Sequence, residues 1–422
     1  MISLPFFAMS IFWQTYDYVV PLILSNHYHL GTTLYSVIMS ADNVIALIFL
    51  PFFGILSDRT RSRLGRRTPL ILIGIAGGIC GLYFMNTADT AALSGNSSFG
   101  TFLAALLAAV FFMSMSRSPG AALVADCFIR PQRTKANAVL NLMGALGGVL
   151  FGVVGHRLIF QHAELPVFTK CLFFVIIMMA ASTGMYLFLA RENRFSKEVK
   201  EQNRLYGLLD EKTDDASQAL LPDSEQRSLW LILAASFFVY MGYNGFHTHY
   251  TNYLLTYLRQ PASWTGPYLL EVAMGMLMMI PSAFITTYLG RRTSCLIGAA
   301  FCVLGYFGVS FVTPDKHGML YLWFFIAAIG FPLFGINMGP MILEIGKDRD
   351  SGRYMSYYYM ATTGAQIVAP TLASLFINRW DYHVIGFYGA LFTLLAFFCF
   401  LLAHHGDVKP AFVHAVDEAL SQ

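Results

Sequence analysis

Three residues near the amino terminus combine the groups that bind carbohydrates. Trp13, Gln14 and Asp17 occur at positions i, i+1 and i+4, so on a helix they lie on one side. An indole face stacks on the C–H face of a sugar ring, while amide and carboxylate groups hydrogen-bond to its hydroxyls. The spacing therefore indicates a site for a polar solute. The alternative is purely structural, with an interfacial Trp beside a capped Asp.

Charged residues inside apolar runs indicate a second kind of chemistry. Asp17, Asp42, Arg117 and Glu271 lie in such runs, and a charge near the bilayer centre costs roughly 2.5 to 3.5 kcal/mol on the mildest scale. On consecutive antiparallel helices, Asp17 and Asp42 fall at one depth, and two desolvated carboxylates cannot both ionise cheaply. The predicted cation-coupling residues are Asp17, Asp42, Arg117 and Glu271. Arg117 is the counter-charge of the two aspartates, and Glu271 lies nearer the outer surface. The alternative is an Asp42 that is capped by Asn43 and never titrates.

A polar stripe occurs in a later apolar run. Tyr240, Tyr243, Asn244, His247 and Thr251 recur at helical spacing on one face. Five polar positions in register favour the lining of a solute cavity, although hydrogen bonding between helices is the alternative. Three residues of later segments, Asn337, Tyr358 and Gln366, fit helix packing as well as substrate contact. The predicted substrate contacts are Trp13, Gln14, Asp17, Asn43, Asn141, Tyr243, Asn244, His247, Asn337, Tyr358 and Gln366.

The elements that position these residues are membrane spans. Only 12% of the 422 residues are charged, and the mean hydropathy is +0.57, whereas soluble domains carry about 25% charged residues. A bilayer core of roughly 30 Å requires about 20 apolar residues per helix, and twelve such runs occur. They are too long for barrel strands, so the predicted fold class is an all-α membrane protein with 12 transmembrane helices. Segments 1 to 12 are approximately Ser3–Leu24, Thr33–Ser57, Thr68–Asn86, Phe99–Ala125, Ala136–Phe160, Phe168–Ala190, Ser228–Tyr257, Thr265–Leu289, Thr293–Val312, Gly318–Ile345, Gly352–Ile377 and Tyr382–Ala403.

Basic residues set the orientation, because cytoplasmic loops collect Lys and Arg. Apart from Arg117, most of the 27 Lys and Arg lie in alternate loops or the tail, and both termini are therefore expected to be cytoplasmic. The net charge of +3 reflects this bias, and no nucleic-acid partner is expected. No cleaved signal peptide, metal site or cofactor is expected, beyond H⁺ or Na⁺ as coupling ion. The basic residues on the outer side are Arg157, Lys170, Arg259, Lys316 and Arg379.

The string LGRRT occurs twice, at 64–68 and at 289–293. A polar stretch at 191–227 divides the apolar segments six and six, which puts the two strings between segments 2 and 3 and between segments 8 and 9. A duplicated six-helix bundle explains the repetition. The predicted organisation is an N-terminal bundle at 1–190, a cytoplasmic linker at 191–227, a C-terminal bundle at 228–404 and a cytoplasmic tail at 405–422.

Acids at helix ends face arginines across the inner loops. We expect Asp58 to pair with Arg59, Arg66 and Arg67, and Asp126 to pair with Arg133. Such pairs would close the cytoplasmic side in one conformation and separate in the other. The alternative is topology alone, since any inner loop collects Arg. The predicted gate residues are Asp58, Arg59, Arg66, Arg67, Asp126, Arg133, Arg291, Arg292, Glu344 and Arg353.

The first of these loops carries a family resemblance. Its sequence, GILSDRTRSRLGRRTP, resembles the loop signature of the major facilitator superfamily, in the extended form of the glycoside-pentoside-hexuronide:cation symporters and their sucrose-transporter branch. FWQTYDYVVPLIL, SADNVIALIFLPFFG, SRSPGAALVAD, KANAVLNLMGALGG and MGYNG agree with the bacterial members, so the resemblance covers nearly the whole chain. Two positions depart from it. Ala121 stands where plant sucrose carriers have Arg, and His247 stands where relatives have an acid, which argues against sucrose itself.

The resemblance implies a secondary transporter that moves a glycoside or similar small polar solute with a cation, by rocking two halves about a central site. A proton-coupled antiporter for drugs or metabolites and a non-transporting sensor stay open as alternatives. Signatures of metalloproteases, hydrolases and P-loop enzymes are missing from the sequence, so no enzymatic activity is expected. The expected partners are a small-molecule substrate and the lipid bilayer, with a monomer as the working unit in a plasma membrane of the bacterial inner-membrane type.

Overall fold

The structure is a computed structural model, and it describes residues 1–30, 38–39, 41–95, 98–155, 167–189, 192–205, 222–260, 266–346 and 350–407. These residues form thirteen α-helices and contain no strand, which confirms the all-α fold class. In chain order, α1 to α13 are Leu4–Asn26, Ala41–Arg59, Thr68–Leu93, Phe99–Cys127, Arg133–Leu150, Val167–Leu189, Glu192–Leu205, Asp223–Asn252, Gly266–Leu289, Arg291–Val309, Leu320–Ile345, Ser351–Trp380 and Val384–Leu402. Single π-helical turns, Phe151–Gly155 and Tyr253–Tyr257, extend α5 and α8.

Eleven of the described helices are long and apolar enough to cross a membrane, namely α2 to α6 and α8 to α13. The first predicted segment, α1, is not among them although it has 23 residues. Its centre is the polar run WQTYDY, which lowers the mean hydropathy of the helix. The helix α7 is short and polar, and it lies within the stretch that we predicted as a linker. The chain is a multi-span membrane protein, with helices at all twelve predicted positions.

The chain forms two compact units. Unit 1 contains Met1–Cys127, Val139–Lys197 and Asp350–Ser356, and unit 2 contains Phe128–Ala138, Glu198–Arg349 and Tyr357–Gln422. Both α5 and α12 therefore contribute residues to each unit. The predicted ends of the two six-helix bundles, at residues 190 and 228 on either side of the linker, stay a prediction. Residues 206–221 of the linker and 408–422 of the tail lie outside the described residues.

Within unit 1, α1 packs directly on the part of α5 that belongs to the same unit. A Cβ atom at Gly147 would lie 2.8 Å from the carbonyl oxygen of Phe7, so glycine allows this approach. Close approach through small residues is the usual way in which membrane helices pack. The packing directs the polar side of α1, which carries Trp13 and Asp17, toward α2 and α4.

In unit 2, aromatic and small side chains fill the contact of α8 with α12 and α13. Met241, Ala365 and Tyr388 are buried there, and Phe237 and Phe392 pack against them. The hydroxyl of Tyr388 donates to the carbonyl oxygen of Ala369 at 3.2 Å. The polar stripe of α8 faces the other way, toward α9 and α11.

Candidate functional site

The first candidate site lies in unit 1, where α1, α2 and α4 bring four predicted residues together. The guanidinium carbon of Arg117 lies 5.4 Å from the ring centre of Trp13, within the range of a cation–π interaction. Asp17 interacts electrostatically with both Asp42 and Arg117. Residues that were singled out on three separate helices therefore share one polar cluster, which we call the carboxylate site.

The environment of Asp42 combines both readings made from the sequence. Its carboxylate accepts a hydrogen bond from the backbone N–H of Asn43, as the capping alternative required. However, its Oδ1 atom is buried and has no hydrogen-bond partner among the described residues. The hydroxyl of Tyr16 donates to the carbonyl oxygen of Met39 at 2.9 Å, which ties α1 to the chain before α2. The cap therefore leaves one oxygen of Asp42 for another partner.

The amide side chains predicted around this site are half-buried. Gln14 lies against α5, where a Cβ atom at Gly148 would be 3.6 Å from its side chain. Asn43 and Asn141 are half-buried on α2 and α5 respectively. Substrate contact by these three amide side chains stays a prediction.

The stripe of α8 forms a second cluster, within unit 2. The rings of Tyr243 and His247 lie 4.1 Å apart, and Nε2 of His247 lies 3.4 Å from Oε1 of Glu271 on α9. Asn244 donates to the carbonyl oxygen of Tyr240 one turn earlier, at 2.9 Å. The side chain of Thr251, the last member of the stripe, lies outside the described residues. The pairing of His247 with Glu271 was not foreseen, because spacing on one helix says nothing about a partner on the next.

The remaining predicted contacts lie on α11 and α12. Asn337 is fully buried, and its amide donates to the hydroxyl of Thr286 at 2.9 Å and the carbonyl oxygen of Leu333 at 2.6 Å. This placement favours packing over substrate contact. Tyr358 is buried and Gln366 is half-buried, and their contacts with substrate stay predictions.

A third cluster lies at the ends of the unit 1 helices that are predicted to be cytoplasmic, and it is centred on Arg67, which is fully buried. Its Nη2 pairs with Oδ1 of Asp58 at 2.6 Å and its Nε with Oδ2 of Asp126 at 2.8 Å. The guanidinium also donates to the hydroxyls of Ser57 and Ser351. Burial by itself lowers the pKa of an arginine, but Asp126 and Asp58 outweigh it and raise the pKa of Arg67 above its ordinary value. Arg67 therefore keeps its charge inside this cluster.

Asp58 also caps the first turn of α12, which belongs to unit 1. Its carboxylate accepts the backbone N–H groups of Gly352 at 3.0 Å and Arg353 at 2.9 Å. The positive end of the helix dipole favours an anion at this position. Ser118 of α4 donates to the carbonyl oxygen of Gly352 at 2.8 Å, and a Cβ atom at Gly54 would lie 2.4 Å from the same oxygen. The start of α12 is thus held by charge, hydroxyl and backbone contacts.

Some predicted gate residues have other partners than expected. Asp126 binds the two arginines of the first LGRRT string, which were expected to pair with Asp58, and its predicted pairing with Arg133 stays a prediction. Arg133 is fully buried in unit 2, where its Nη1 donates to the carbonyl oxygen of Leu343 at 3.2 Å. Arg59 is exposed at the end of α2. Of the expected pairs around Asp58, the described residues show the one with Arg67, and Asp126 bridges Arg66 and Arg67.

The second LGRRT string makes a related set of contacts within unit 2. Nη1 of Arg291 donates to Oε2 of Glu344 at 3.1 Å, and its Nε donates to the hydroxyl of Thr134 at 3.0 Å. Arg292 donates to two carbonyl groups in the last turn of α13. Each copy of the string thus places one buried arginine against an acid at the end of a neighbouring helix.

Two acids that the sequence analysis missed complete these repeats. Glu192 accepts the backbone N–H groups of Arg66–Thr68, at 2.6, 2.9 and 2.8 Å, at the start of α3. Asp407 accepts the backbone N–H of Arg291 at 2.6 Å, at the start of α10. Glu192 follows α6 and Asp407 follows α13, in stretches that we assigned to the linker and the tail. An acid shortly after each sixth apolar segment was the available signal.

The contact of Glu192 with the first string depends on Gly65. This residue has φ of +126°, where side chains are disfavoured, and a Cβ atom there would lie 2.2 Å from the carboxyl carbon of Glu192. Glycine at the turn therefore lets the acid reach the uncapped N–H groups of α3.

Replacement of Glu192 by Ala is expected to destabilise the protein. The change leaves several backbone donors at the start of α3 without their charged acceptor, and hydrogen bonds to charged groups contribute about 1.5 to 3 kcal/mol each. We expect a lower Tm in detergent, measured by thermal unfolding with intrinsic fluorescence as the signal. Glu201→Ala, an exposed acid on α7, is the matched control and should leave Tm unchanged. Equal Tm values for the two variants would contradict the capping role.

Comparisons with known proteins agree with this architecture. A family model described as Major Facilitator Superfamily matches residues 2–345 and 290–416. A bacterial homologue of the iron transporter ferroportin, in an outward-facing state, aligns with a TM-score of 0.71 and 14% identity over 95% of this chain and 97% of that chain. The human organic anion transporter MFSD10 (TETRAN) aligns with a TM-score of 0.69 and 16% identity over 94% and 97% of the two chains. At these identities the likeness shows the fold alone.

Two further comparisons are with a sugar symporter of known structure and with a yeast protein named for drug resistance. The proton:xylose symporter XylE, bound to 6-bromo-6-deoxy-D-glucose, aligns with a TM-score of 0.66 and 13% identity over 98% of this chain and 96% of that chain. Over 96 residues, the chain is 30% identical to Quinidine resistance protein 3 of Saccharomyces cerevisiae. That match covers 22% of this chain and spans only 13% of the yeast protein's length.

Proposed function

This chain belongs to the major facilitator superfamily and is a secondary transporter, and we propose that it carries a small polar solute of the sugar or glycoside class in symport with protons. The observation that carries the proposal is the carboxylate site of unit 1. There an indole, a guanidinium and two carboxylates lie together inside spans that are otherwise apolar. The protein is a transporter and not an enzyme, and we place it in the plasma membrane.

The substrate class rests on the side chains of α1. Trp13 contacts Arg117 with one face of its ring, and the opposite face of an indole remains suited to the C–H face of a sugar. Gln14 and Asp17 supply hydrogen-bonding groups on the same side of the helix. These are the groups that a polyhydroxylated solute requires.

Proton coupling rests on the charge count of the same site. With both carboxylates ionised, Asp17, Asp42 and Arg117 carry one net negative charge. One added proton makes the site neutral, and a neutral site costs least in surroundings of low dielectric constant. A Na⁺ ion would balance the charge equally. If a sodium gradient alone drives transport, Na⁺ and not the proton is the coupling ion.

The cluster around Arg67 is proposed as the cytoplasmic gate of the transport cycle. It joins the end of α2, the start of α3, the end of α4 and the start of α12 through buried ion pairs. A buried ion pair is either fully formed or fully separated, because partial separation leaves a buried charge without its partner. We propose that the contacts of Asp58 with α12 form in one state of the alternating-access cycle and break in the other.

Trp13→Ala is expected to weaken substrate binding. Loss of the indole removes its stacking surface, which contributes about 1 kcal/mol or more, so the substrate concentration for half-maximal uptake should rise about fivefold or more. The measurement is the concentration dependence of uptake into proteoliposomes. Trp230→Ala, at an exposed Trp of α8, is the control and should bind substrate like the parent. Unchanged binding by the Trp13 variant would remove α1 from the substrate site.

A panel of radiolabelled sugars, tested for uptake with and without a protonophore, tests the proposed function itself. We expect one or more sugars to accumulate and the protonophore to abolish that accumulation. Accumulation that survives the protonophore would reject proton coupling. A panel without any accumulated sugar would reject the substrate class.

A second candidate function is proton-coupled export of a drug or metabolite. It is supported by the short match to Quinidine resistance protein 3 and by the two carboxylates of unit 1, which would also suit a cationic solute. The two functions differ in the sign of proton movement. Substrate added outside a cell suspension should raise the external pH in symport and lower it in antiport.

A further inference from the structure

His247 and Glu271 form a buried pair of titratable groups in unit 2. Nε2 of His247 lies 3.4 Å from Oε1 of Glu271, and their side chains are only 10% and 7% exposed. The distance fits an ion pair but exceeds that of a well-formed hydrogen bond. In the described part of the chain, both ring nitrogens of His247 and Oε2 of Glu271 have no hydrogen-bond partner.

A pair with only a structural role would not leave these atoms unsatisfied. A buried polar atom without a partner destabilises the fold, and most such atoms in folded proteins are bonded. His249, on the same helix, shows the structural alternative. Its Nε2 contacts the carbonyl oxygen of Pro370 at 3.0 Å and the hydroxyl of Ser374 at 3.2 Å. The ring nitrogens of His249 are thus held by α12, whereas among the described residues the polar group that faces the ring of His247 is the carboxylate of Glu271.

Aromatic rings enclose the pair. The ring centres of Tyr243, Tyr268 and Phe324 lie 4.1, 5.3 and 6.3 Å from that of His247. Phenols and thiols are uncharged near neutral pH, so charge in this cluster changes at the pair itself. The titratable groups that face Glu271 from neighbouring elements are Tyr243, Tyr250, Cys302 and Tyr306.

The proton count of the pair determines what it can bind. At a contact of 3.4 Å the pair holds one proton whether it is ionic, with an imidazolium and a carboxylate, or neutral. Loss of that proton leaves a net negative charge, and gain of a second one leaves a net positive charge. Either change is costly while the rings exclude water, and becomes cheaper when a conformational change admits it. The pair therefore links proton occupancy to conformation.

We infer that His247 and Glu271 together are a proton-binding site of unit 2, whose occupancy changes during the transport cycle, in addition to the carboxylate site of unit 1. The inference rests on the proton coupling proposed above. It keeps Glu271 in the cation-coupling role predicted from the sequence and adds His247, which was predicted as a substrate contact, to the proton site. With two proton-binding sites in one chain, the driving force for accumulation depends on the proton occupancy of each site.

The first test uses the proton itself as the probe. Infrared difference spectra of the purified full chain are recorded between about pH 5 and pH 9, the range over which His and perturbed carboxyl groups titrate. We expect a carboxylic-acid band in the parent that is missing from Glu271→Gln, and a pH midpoint of that band that moves by about one unit or more in His247→Gln. His249→Gln should change neither. A spectrum of Glu271→Gln identical to that of the parent would overturn the inference.

The second test measures coupling in proteoliposomes, with the radiolabelled sugar that accumulates most in the panel described above. His247→Gln and Glu271→Gln should keep counterflow, which needs no net coupling, and lose accumulation driven by a pH gradient by about tenfold or more. Because the groups act as a unit, the double variant should be no worse than either single one. Loss of counterflow together with accumulation would make the pair a substrate contact and overturn the inference. A parent that accumulates no sugar would defeat the proposed function, while the infrared result would still decide the proton site.

Discussion

Asp17→Asn proteoliposomes are expected to lose uphill accumulation driven by a pH gradient and to keep counterflow. The substitution fixes the site in a neutral state, since the amide cannot release or take up a proton while Asp42 and Arg117 balance each other. Substrate exchange needs no proton cycle, whereas accumulation against a gradient does. Accumulation driven by the pH gradient should therefore fall by about tenfold or more, while counterflow stays at the level of the parent.

Asp42→Asn should give the same result in a weaker form. Its carboxylate already accepts the backbone N–H of Asn43, while its Oδ1 has no partner in the described structure. Asp315→Asn, at an exposed acid in the loop before α11, is the matched control and should accumulate like the parent. Full accumulation in both Asp17 and Asp42 variants would end the assignment of the carboxylate site to coupling.

Asp58→Asn is expected to slow transport strongly with little change in affinity. The amide cannot neutralise Arg67, a fully buried cation whose second acid, Asp126, is shared with Arg66. Removal of one partner from a buried ion pair costs about 3 to 5 kcal/mol, and that cost falls on whichever state contains the cluster. The balance of states should shift accordingly.

The measurement is the maximal rate of uptake beside the concentration for half-maximal uptake. We expect a rate at least about tenfold lower, with affinity within a few fold of the parent. Arg61→Gln changes an exposed charge in the same loop and serves as the control, because its side chain lies outside the cluster. Normal kinetics in Asp58→Asn would remove the gate proposal.

The sequence was sufficient for the helices because each span must satisfy its own backbone and present an apolar surface. Those requirements leave a local signal that can be counted along the chain. The same reasoning places Trp13 and Asp17 on one side of α1, since positions four apart share a face. The helix α1, despite its polar centre, was predicted in the same way, as an apolar run of membrane length between polar breaks.

The partners across helices could not be predicted in the same way. Asp126 had several arginines within reach of its loop, and it binds both arginines of the LGRRT string, which were predicted to pair with Asp58. Glu192 was assigned to a linker, because a carboxylate in a polar stretch has no local mark of a cap for a distant helix. Such choices depend on how helices pack, and no periodicity in a single segment records them.

The acid at residue 192 has a consequence for how the chain matures during synthesis. The start of α3 is complete only when a residue more than 120 positions further along has emerged and reached it. Domains fold largely as units while the ribosome adds about 5 to 20 residues per second, so α3 waits with open backbone donors until α6 has been inserted. A chain truncated after residue 190, which lacks Glu192, should therefore be more accessible to proteases at the turn around Gly65 than one that includes α7. The cap of the third helix thus depends on a residue that follows the sixth span.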